Sequence, residues 1–220
     1  MKILNLYACL GGNRYKWDEV AQLAGIDIEV TAIELDPELA RLYQERFPND
    51  KVIITDAHQY LLEYYKEFDF IWSSPPCPSH SKARYWGFGK NGLKPEYPDM
   101  KLYEEIIFLQ HHFFGKWVVE NVNPYYEPLM NPQKRERHLY WANFKIPIEI
   151  SKRNDTALVQ ASRMQDLCDF HDYDFRQYNG EQRLLKIARN LVDYEAGRTI
   201  FETAIGVIRK QNTKQIEMNL

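Results

Sequence analysis

A single cysteine, Cys77, stands in a proline-framed segment that could carry out nucleophilic chemistry. The segment reads Ser-Ser-Pro-Pro-Cys-Pro-Ser-His-Ser over residues 73–81. Prolines cannot donate to a sheet ladder, so they predict a rigid turn just after a strand. A thiol on such a turn is well placed for attack, although a buried, inert cysteine is the usual alternative. Because the thiolate is the reactive form, Cys77 needs neighbours that take its proton or lower its pKa.

A glycine turn and two carboxylates indicate a small-ligand site. The turn reads Tyr-Ala-Cys-Leu-Gly-Gly over residues 7–12, and its glycines would let the backbone approach a ligand closely. Glu34 could accept hydrogen bonds from both hydroxyls of a ribose, and Asp56 could accept one from an adenine amino group. Together they suit an adenosine-bearing ligand without a pyrophosphate. Taken singly, a structural turn and helix-capping carboxylates explain these residues equally well.

A third carboxylate and two arginines complete the groups that could do chemistry. Glu120 follows an apolar run and could act as a general acid. Arg135 and Arg137 lie two residues apart, which places both on one side of an extended chain. Cations held there could bind a carbonyl oxygen or phosphates. Taken alone, this charged run would be solvated surface.

Alternating short strands and helices must position these groups. Apolar runs and periodicity predict strands at residues 2–7, 29–33, 52–55, 68–73 and 117–119, and helices at 17–24, 37–47, 58–65, 100–111, 163–167, 180–195 and 198–210. This alternation predicts an α/β fold with a doubly wound, mostly parallel sheet, which binds ligands at the carboxyl ends of its strands. The candidate groups follow strands, so we expect them to converge on one rim.

Composition limits the class of protein. The 220 residues are 45% hydrophobic and 27% charged, values that exclude global disorder and fibrous classes. No apolar run approaches the roughly 20 residues of a membrane span, and the first residues do not form a signal peptide, so a cytoplasmic protein is expected. Three separated cysteines predict reduced thiols and no metal site. With a net charge of −3, any nucleic-acid surface must be local.

In order along the chain, these motifs resemble those of the DNA (cytosine-5)-methyltransferases. Residues 5–12 resemble the cofactor motif, and Glu34 and Asp56 the cofactor carboxylates. Residues 75–77 resemble the Pro-Pro-Cys catalytic loop, 120–122 the Glu-Asn-Val motif and 133–137 the Gln-x-Arg-x-Arg motif. Residues 161–170 and 187–192 are similar to the ninth and tenth motifs, so the resemblance covers nearly the whole chain.

The resemblance implies a domain organisation and a cofactor. A Rossmann-like catalytic domain over residues 1–142 would bind S-adenosylmethionine, and C-terminal helices over 186–220 would pack back on it. Residues 143–185 would form a small target-recognition subdomain. Only about fifteen residues, 143–157, stand where the family carries a long recognition region. The chain therefore resembles compact, phage-encoded members and is expected to have relaxed or short sequence specificity. A monomer is expected, with an accessory recognition partner as an open alternative.

The family's reaction assigns a role to each catalytic group. Cys77 would attack C6 of cytosine, Glu120 would protonate or hydrogen-bond N3, and C5 would then accept the methyl group. Because C6 is inaccessible in stacked duplex DNA, the base must be flipped out, and Arg135 and Arg137 would hold it. Residues 79–94 would form a mobile loop that closes over double-stranded DNA.

The resemblance also implies two sets of contact residues. The expected DNA contacts are Ser79, Ser81, Lys82, Arg84 and Asn121. The expected cofactor contacts are Tyr7, Ala8, Leu10, Gly11, Gly12, Glu34, Leu35, Asp56, Ala57, Pro76 and Asn190.

The chain departs from the family pattern at the cofactor end. Asn5 and Cys9 stand where the first motif has aspartate and glycine, and Arg189 stands where the tenth motif has glycine. Rearranged cofactor contacts are therefore expected. Two other functions stay open: the same reaction on tRNA or other RNA, and a cofactor- or DNA-binding protein without turnover. The intact Cys77 and Glu120 argue against loss of turnover.

Overall fold

A seven-stranded sheet organises the computed structural model, which describes residues 1–88, 94, 96–153 and 163–207. The strands are β1 (Lys2–Leu6), β2 (Glu29–Glu34), β3 (Lys51–Ile54), β4 (Phe70–Ser73), β5 (Lys116–Val122), β6 (Gln133–Arg135) and β7 (His138–Ala142). The α-helices in the described residues are α1 (Trp17–Ala24), α2 (Pro37–Arg46), α3 (Ala57–Tyr64), α4 (Lys82–Gly87), α5 (Lys101–His112), α6 (Met164–His171), α7 (Leu184–Asn190) and α8 (Tyr194–Ala204).

The strand order is β3-β2-β1-β4-β5-β7-β6. The first five strands are parallel, and β1 pairs with both β2 and β4. Strand β7 runs antiparallel to β5 and to β6. The order in which strands are added reverses between β1 and β4, which is where an open α/β sheet forms its ligand crevice. The predicted doubly wound, mostly parallel α/β fold is confirmed.

Both faces of the sheet are covered by apolar side chains, as the largely apolar strand sequences require. On one face Trp17, which is fully buried, packs against Phe70, Trp72 and Phe201 with ring centroids 5.1–6.0 Å apart. On the other face, side chains of α3 and α5 join Leu4 and its neighbours in a second core cluster. These two layers hold the strand ends at fixed positions.

The C-terminal helices differ from their predicted bounds. The predicted helix at 180–195 is wrong because α7 ends at Asn190 and a new helix, α8, begins at Tyr194. Asp193 causes the restart, since its side chain caps α8 by accepting a hydrogen bond from Glu195 N at 3.1 Å. Helix α8 therefore begins before residue 198, where the sequence predicted it, and residues 208–210 lie outside the described part of the chain.

Two further elements were not predicted. Helix α4 occupies part of the predicted mobile loop 79–94, of which residues 89–93 lie outside the described residues. A tight hairpin joins β6 to β7, and Glu136 in its turn has φ 50°.

In the described residues, no helix is long and apolar enough to cross a membrane.

Candidate active site

A cavity of about 770 Å³ opens where the parallel strands end. Its size falls within the ~300–1,000 Å³ typical of small-molecule sites. The predicted site residues that line it are Tyr7, Ala8, Gly12, Glu34, Leu35, Asp56, Ala57, Pro76, Cys77, Ser81, Glu120, Asn121, Arg137 and Asn190. The structure thus brings these residues together on one rim of the sheet.

The glycine turn after β1 forms one wall. Leu10 and Gly11 lie behind this wall, because Leu10 is fully buried and a Cβ at Gly11 would lie 2.4 Å from the Phe47 ring. At Gly12 a Cβ would come within 2.3 Å of Val192 O. Glycine at position 12 therefore lets the connection between α7 and α8 approach the turn and close that side of the cavity.

The carboxylates of Glu34 and Asp56 both line the cavity but differ in their hydrogen-bond partners. Glu34 accepts hydrogen bonds from the backbone N–H groups of Cys9, Leu35 and Asp36 at 2.7–2.9 Å. Burial raises the pKa of Glu34, against the lowering effect of these donors. Asp56 caps α3, since its Oδ1 accepts a hydrogen bond from the backbone of the first turn at 2.9 Å. The capping alternative therefore accounts for one oxygen of Asp56, and its other oxygen, Oδ2, lies 3.7 Å from the Lys101 ammonium.

These walls fit an adenosine-bearing cofactor. Glu34 ends β2 beside the glycine turn, the position from which a carboxylate can reach ribose hydroxyls. Asp56 and Ala57 begin α3 on the adjacent side. Asn5, which stands where the family motif has aspartate, is engaged by a neighbouring side chain. Its Oδ1 accepts a hydrogen bond from Asn13 Nδ2 at 2.8 Å. The polar groups on these walls are carboxylate oxygens and backbone amides, which suit the hydroxyls of a ribose and the polar edge of an adenine.

The Cys77 loop is held by hydrogen bonds on both sides. The Cys77 carbonyl accepts hydrogen bonds from His80 N and Ser81 N at 3.0 and 3.1 Å. Asn121 Nδ2 donates to Pro75 O at 2.9 Å, which ties the loop to the end of β5. The position of Cys77 is thus fixed by its own turn and by the neighbouring strand.

The thiol of Cys77 lies in an environment that disfavours the thiolate. Burial and the negative charge of Glu120 raise its pKa from 9.0 to about 11, whereas its own backbone and the Lys186 ammonium lower it. Glu120 is itself 7% exposed, and its Oε1 lies 3.7 Å from His138 Nε2. The Cys77 thiol and the Glu120 carboxyl therefore line the same cavity, close enough for the charge of Glu120 to act on the thiol.

The two arginines do not face the same way. Glu136 turns the chain in a left-handed conformation, so Arg137 lines the cavity while Arg135 points out of it. Arg135 donates hydrogen bonds to the carbonyl oxygens of Ile146 and Pro147. The prediction that both side chains lie on one side of an extended segment is wrong, because β6 ends at Arg135.

The expected DNA contacts are divided between the cavity and its surroundings. Ser81 lines the cavity and caps α4 through Arg84 N at 3.2 Å. Ser79 accepts a hydrogen bond from Asp99 N, Lys82 lies exposed on α4, and Arg84 pairs with Glu96 at 2.6 Å. Asn121 is 2% exposed and engaged with the Cys77 loop, as described above. Of these residues, Lys82 is the most accessible to a large ligand.

Sequence reasoning missed Lys186, which lines the cavity from α7. Its ammonium makes no hydrogen bond or ion pair with the described residues, and it acts on Cys77 through space. The spacing to Asn190 could have revealed it, since residues four apart share one face of a helix.

In the described residues, no group of three or more His, Cys, Asp or Glu side chains could hold a metal ion.

Three solved structures of other proteins are similar to parts of this chain. A mutant of Spodoptera frugiperda DNMT2 is 26% identical, with a TM-score of 0.39, over 56% of this chain and 35% of that chain. The Entamoeba histolytica methyltransferase EhMeth is 11% identical, with a TM-score of 0.43, over 70% of this chain and 57% of that chain. A hypothetical protein of Thermus thermophilus is 18% identical, with a TM-score of 0.37, over 64% and 73% of the two chains. No curated protein sequence matches significantly.

The family comparison is the decisive one. The family model described as C-5 cytosine-specific DNA methylase matches residues 1–136, which include the glycine turn, Cys77 and Glu120. This match spans more than half of the chain and covers the strands that build the cavity. The chain therefore belongs to the C-5 cytosine-specific DNA methylase family, and S-adenosylmethionine is its cofactor.

Proposed function

We propose that this chain transfers a methyl group to C5 of cytosine in double-stranded DNA, with Cys77 as the covalent nucleophile. The observation that carries the proposal is the placement of Cys77, Glu120 and Arg137 on one cavity with the glycine turn of the cofactor site. Nucleophile, acid and cation then surround one space in which a single base could lie. Bound S-adenosylmethionine supplies the electrophilic methyl group.

The chain's own residues account for the remaining steps of the proposed reaction. The Cys77 thiol loses its proton to solvent and its sulfur forms a bond to C6 of cytosine, while Glu120, protonated from solvent, donates a proton or hydrogen bond to N3. C5 thereby gains the electron density with which it takes the methyl group. Loss of the C5 proton to solvent, with release of the Cys77 sulfur and return of the N3 proton to Glu120, restores the aromatic ring. Arg137 holds the base from the cavity wall, and Arg135 acts by ordering the 146–147 backbone.

Access to the cavity requires the target base to leave the helix, because C6 is covered by stacking in duplex DNA. Ser81, Lys82 and Arg84, on and beside α4, are the residues we propose to contact the strand near the flipped base. The short 143–185 segment is proposed to act as a reduced recognition subdomain. The proposal includes relaxed or short sequence specificity, a likeness to compact phage-encoded members of the family, and a protein that acts as a monomer or with a recognition partner.

The direct test is methylation mapping. DNA of mixed sequence is incubated with the protein and S-adenosylmethionine and then read by bisulfite sequencing. Conversion-resistant cytosines are expected with wild type and none with Cys77→Ala. The same map reports sequence specificity. If no cytosine resists conversion in DNA, while parallel labelling finds methyl groups in RNA, the substrate is RNA and the DNA assignment is wrong.

Covalent trapping tests the nucleophile separately. DNA containing 5-fluorocytosine cannot lose its C5 substituent after methyl transfer, so an active enzyme becomes cross-linked to it. A denaturation-resistant complex is expected with wild type and should be absent with Cys77→Ser. Arg41→Met, on the exposed face of α2 and outside the cavity lining, serves as the matched control and should still cross-link. Absence of any cross-link with wild type would indicate binding without turnover.

A further inference from the structure

A fully buried carboxylate, Glu105, lies beneath the cofactor cavity. It belongs to α5 and is 0% exposed. Its Oε1 accepts a hydrogen bond from Tyr7 OH at 2.6 Å and lies 3.2 Å from His58 Nδ1. Its Oε2 accepts one from Ser73 Oγ at 2.5 Å. A buried carboxylate is tolerated only when it is paired in this way, so the three partners define where Glu105 sits.

The three partners come from three different segments that build the site. Tyr7 follows β1 in the glycine turn, His58 is next to Ala57 at the start of α3, and Ser73 ends β4. Tyr7 and Ala57 themselves line the cavity, as does Ser74, the residue after Ser73. One side chain on α5 therefore connects the glycine turn, the start of α3 and the strand end that leads into the Cys77 loop.

Tyr7 depends on this contact more than the other partners do. Its φ of 56° is left-handed, a conformation that is unfavourable for a side chain as large as tyrosine. The buried 2.6 Å hydrogen bond from its hydroxyl to Glu105 can hold the residue there. Burial and Glu105 both raise the pKa of Tyr7, so its hydroxyl stays protonated and remains a donor.

Glu105 is also contacted from the α3 side, by His58. Glu105 raises the pKa of His58 against the effect of burial. The other ring nitrogen of His58 lies 3.5 Å from Glu104 Oε2, while Lys101 opposes protonation of the ring. His58 therefore lies between Glu104 and Glu105 with one ring nitrogen near each, which gives the buried Glu105 a polar partner on the α3 side.

We infer that Glu105 is a positioning residue for cofactor binding, which acts by holding Tyr7 and the glycine turn in the conformation that forms the cavity wall. Glu105 does not line the cavity, so it acts only through the residues it holds. For methyl transfer this inference rests on the proposed function, but its effect on cofactor affinity does not. The two can therefore fail separately.

The test uses S-adenosylhomocysteine binding, measured by calorimetry on the full chain without DNA. Tyr7→Phe keeps the ring and removes only the hydroxyl, and it is expected to weaken binding about tenfold, the loss of one buried hydrogen bond. Glu105→Gln is expected to weaken binding by a smaller factor, because the amide oxygen of glutamine can still accept from Tyr7. Because both variants act on the same contact, the double variant should bind no more than about twofold more weakly than Tyr7→Phe.

The matched control is Tyr103→Phe, which removes a buried tyrosine hydroxyl from the same helix. That hydroxyl lies 3.3 Å from Tyr126 OH and accepts from Leu129 N at 3.2 Å, away from the cofactor turn. It should lower the melting temperature while leaving S-adenosylhomocysteine affinity unchanged. If Tyr7→Phe behaves like this control, or if the double variant shows the product of the two single losses, Glu105 has no positioning role. Should the wild type bind S-adenosylhomocysteine yet methylate no DNA, the proposed function fails and the inference stands.

Discussion

The thiol of Cys77 is expected to be almost entirely protonated in the free protein at neutral pH. Burial, with Glu120 as the second cause, raises its pKa from 9.0 to about 11. At pH 8 a thiol with that pKa is about 0.1% thiolate, roughly one hundredth of the fraction for an unperturbed cysteine. Because only the thiolate is alkylated, Cys77 should react with iodoacetamide about a hundredfold more slowly than a free thiol.

Glu120→Gln tests the electrostatic part of this shift. The substitution keeps the shape of the side chain and removes its negative charge, so the pKa of Cys77 should fall. Burial is the larger cause and remains, so alkylation at pH 8 should be faster than in wild type but still slower than that of a free thiol. Lys186→Met removes the opposing positive charge and should slow alkylation. Glu63→Gln, on the exposed surface of α3, should change nothing.

The assay follows the Cys77-containing peptide by mass spectrometry after timed alkylation over a pH range of about 7 to 11, which spans both the ordinary and the raised thiol pKa. The expected profile rises throughout and has its inflection near pH 11, the raised pKa of the thiol. An inflection at or below the ordinary thiol pKa of 9.0 in wild type would refute the reasoning. So would identical profiles for wild type and Glu120→Gln, because the carboxylate would then have no electrostatic influence on the thiol.

Three further substitutions probe the framework of the site. Arg14→Met should cost about 3–5 kcal/mol, or roughly 6–20 °C in melting temperature, because it leaves the carboxylate of Asp50 buried without its cation; both side chains are 3% exposed, and a loss below ~1 kcal/mol would contradict this. Gly12→Ala should destabilise by about 1–3 kcal/mol in urea unfolding and weaken cofactor binding, since the new methyl meets a backbone oxygen at 2.3 Å; unchanged affinity would show that this wall can move. His58→Gln removes a group whose pKa is raised from 6.5, chiefly by Glu105, so wild type should exceed this variant in stability below pH 6.5 and lose that advantage as pH rises; a pH-independent difference in melting temperature would contradict the linkage.

Much of the fold could be predicted from the sequence because parallel strands buried on both faces read as continuous apolar runs. All five parallel strands and the first three helices lie within a few residues of their predicted positions. Strand β7 was missed because His138–Ala142 continues directly from the charged run, and a turn of two residues leaves little signal. The break between α7 and α8 was readable in Asp193, a favourable N-cap residue, but the apolar residues on either side hid it.

The site was predictable to the level of loops and less so to the level of side chains. Residues placed after strands reach one rim because parallel strands all end there, a consequence of topology alone. Which way each side chain points depends on packing partners that are distant in sequence. Arg135 faces the 146–147 carbonyls, and Leu10 is drawn into a core cluster with residues from α2 and α7. Neither partner is indicated by the motif in which the residue lies.

The loop that carries Cys77 is held in position by hydrogen bonds, while the surroundings of the Cys77 thiol raise its pKa. The carbonyl of Cys77 is engaged by its own turn, and Pro75 is tied to β5 through Asn121. The loop beyond it is joined to the segment after β5, where Tyr125 N donates to His80 O at 3.1 Å. In the proposed reaction, little reorganisation of the nucleophile is then needed when the base arrives.

What the free protein lacks is a means of generating the thiolate, since Glu120 disfavours it as long as the carboxyl is ionised. In the proposed reaction a cytosine ring in the cavity would change this balance, because a proton taken from solvent and shared between Glu120 and N3 would remove the negative charge that faces Cys77. The group proposed to assist attack on the base is thus the same carboxyl that raises the pKa of the thiol. Reactivity at Cys77 is therefore predicted to depend on the presence of the base, and this dependence would protect the thiol of the free protein from other electrophiles.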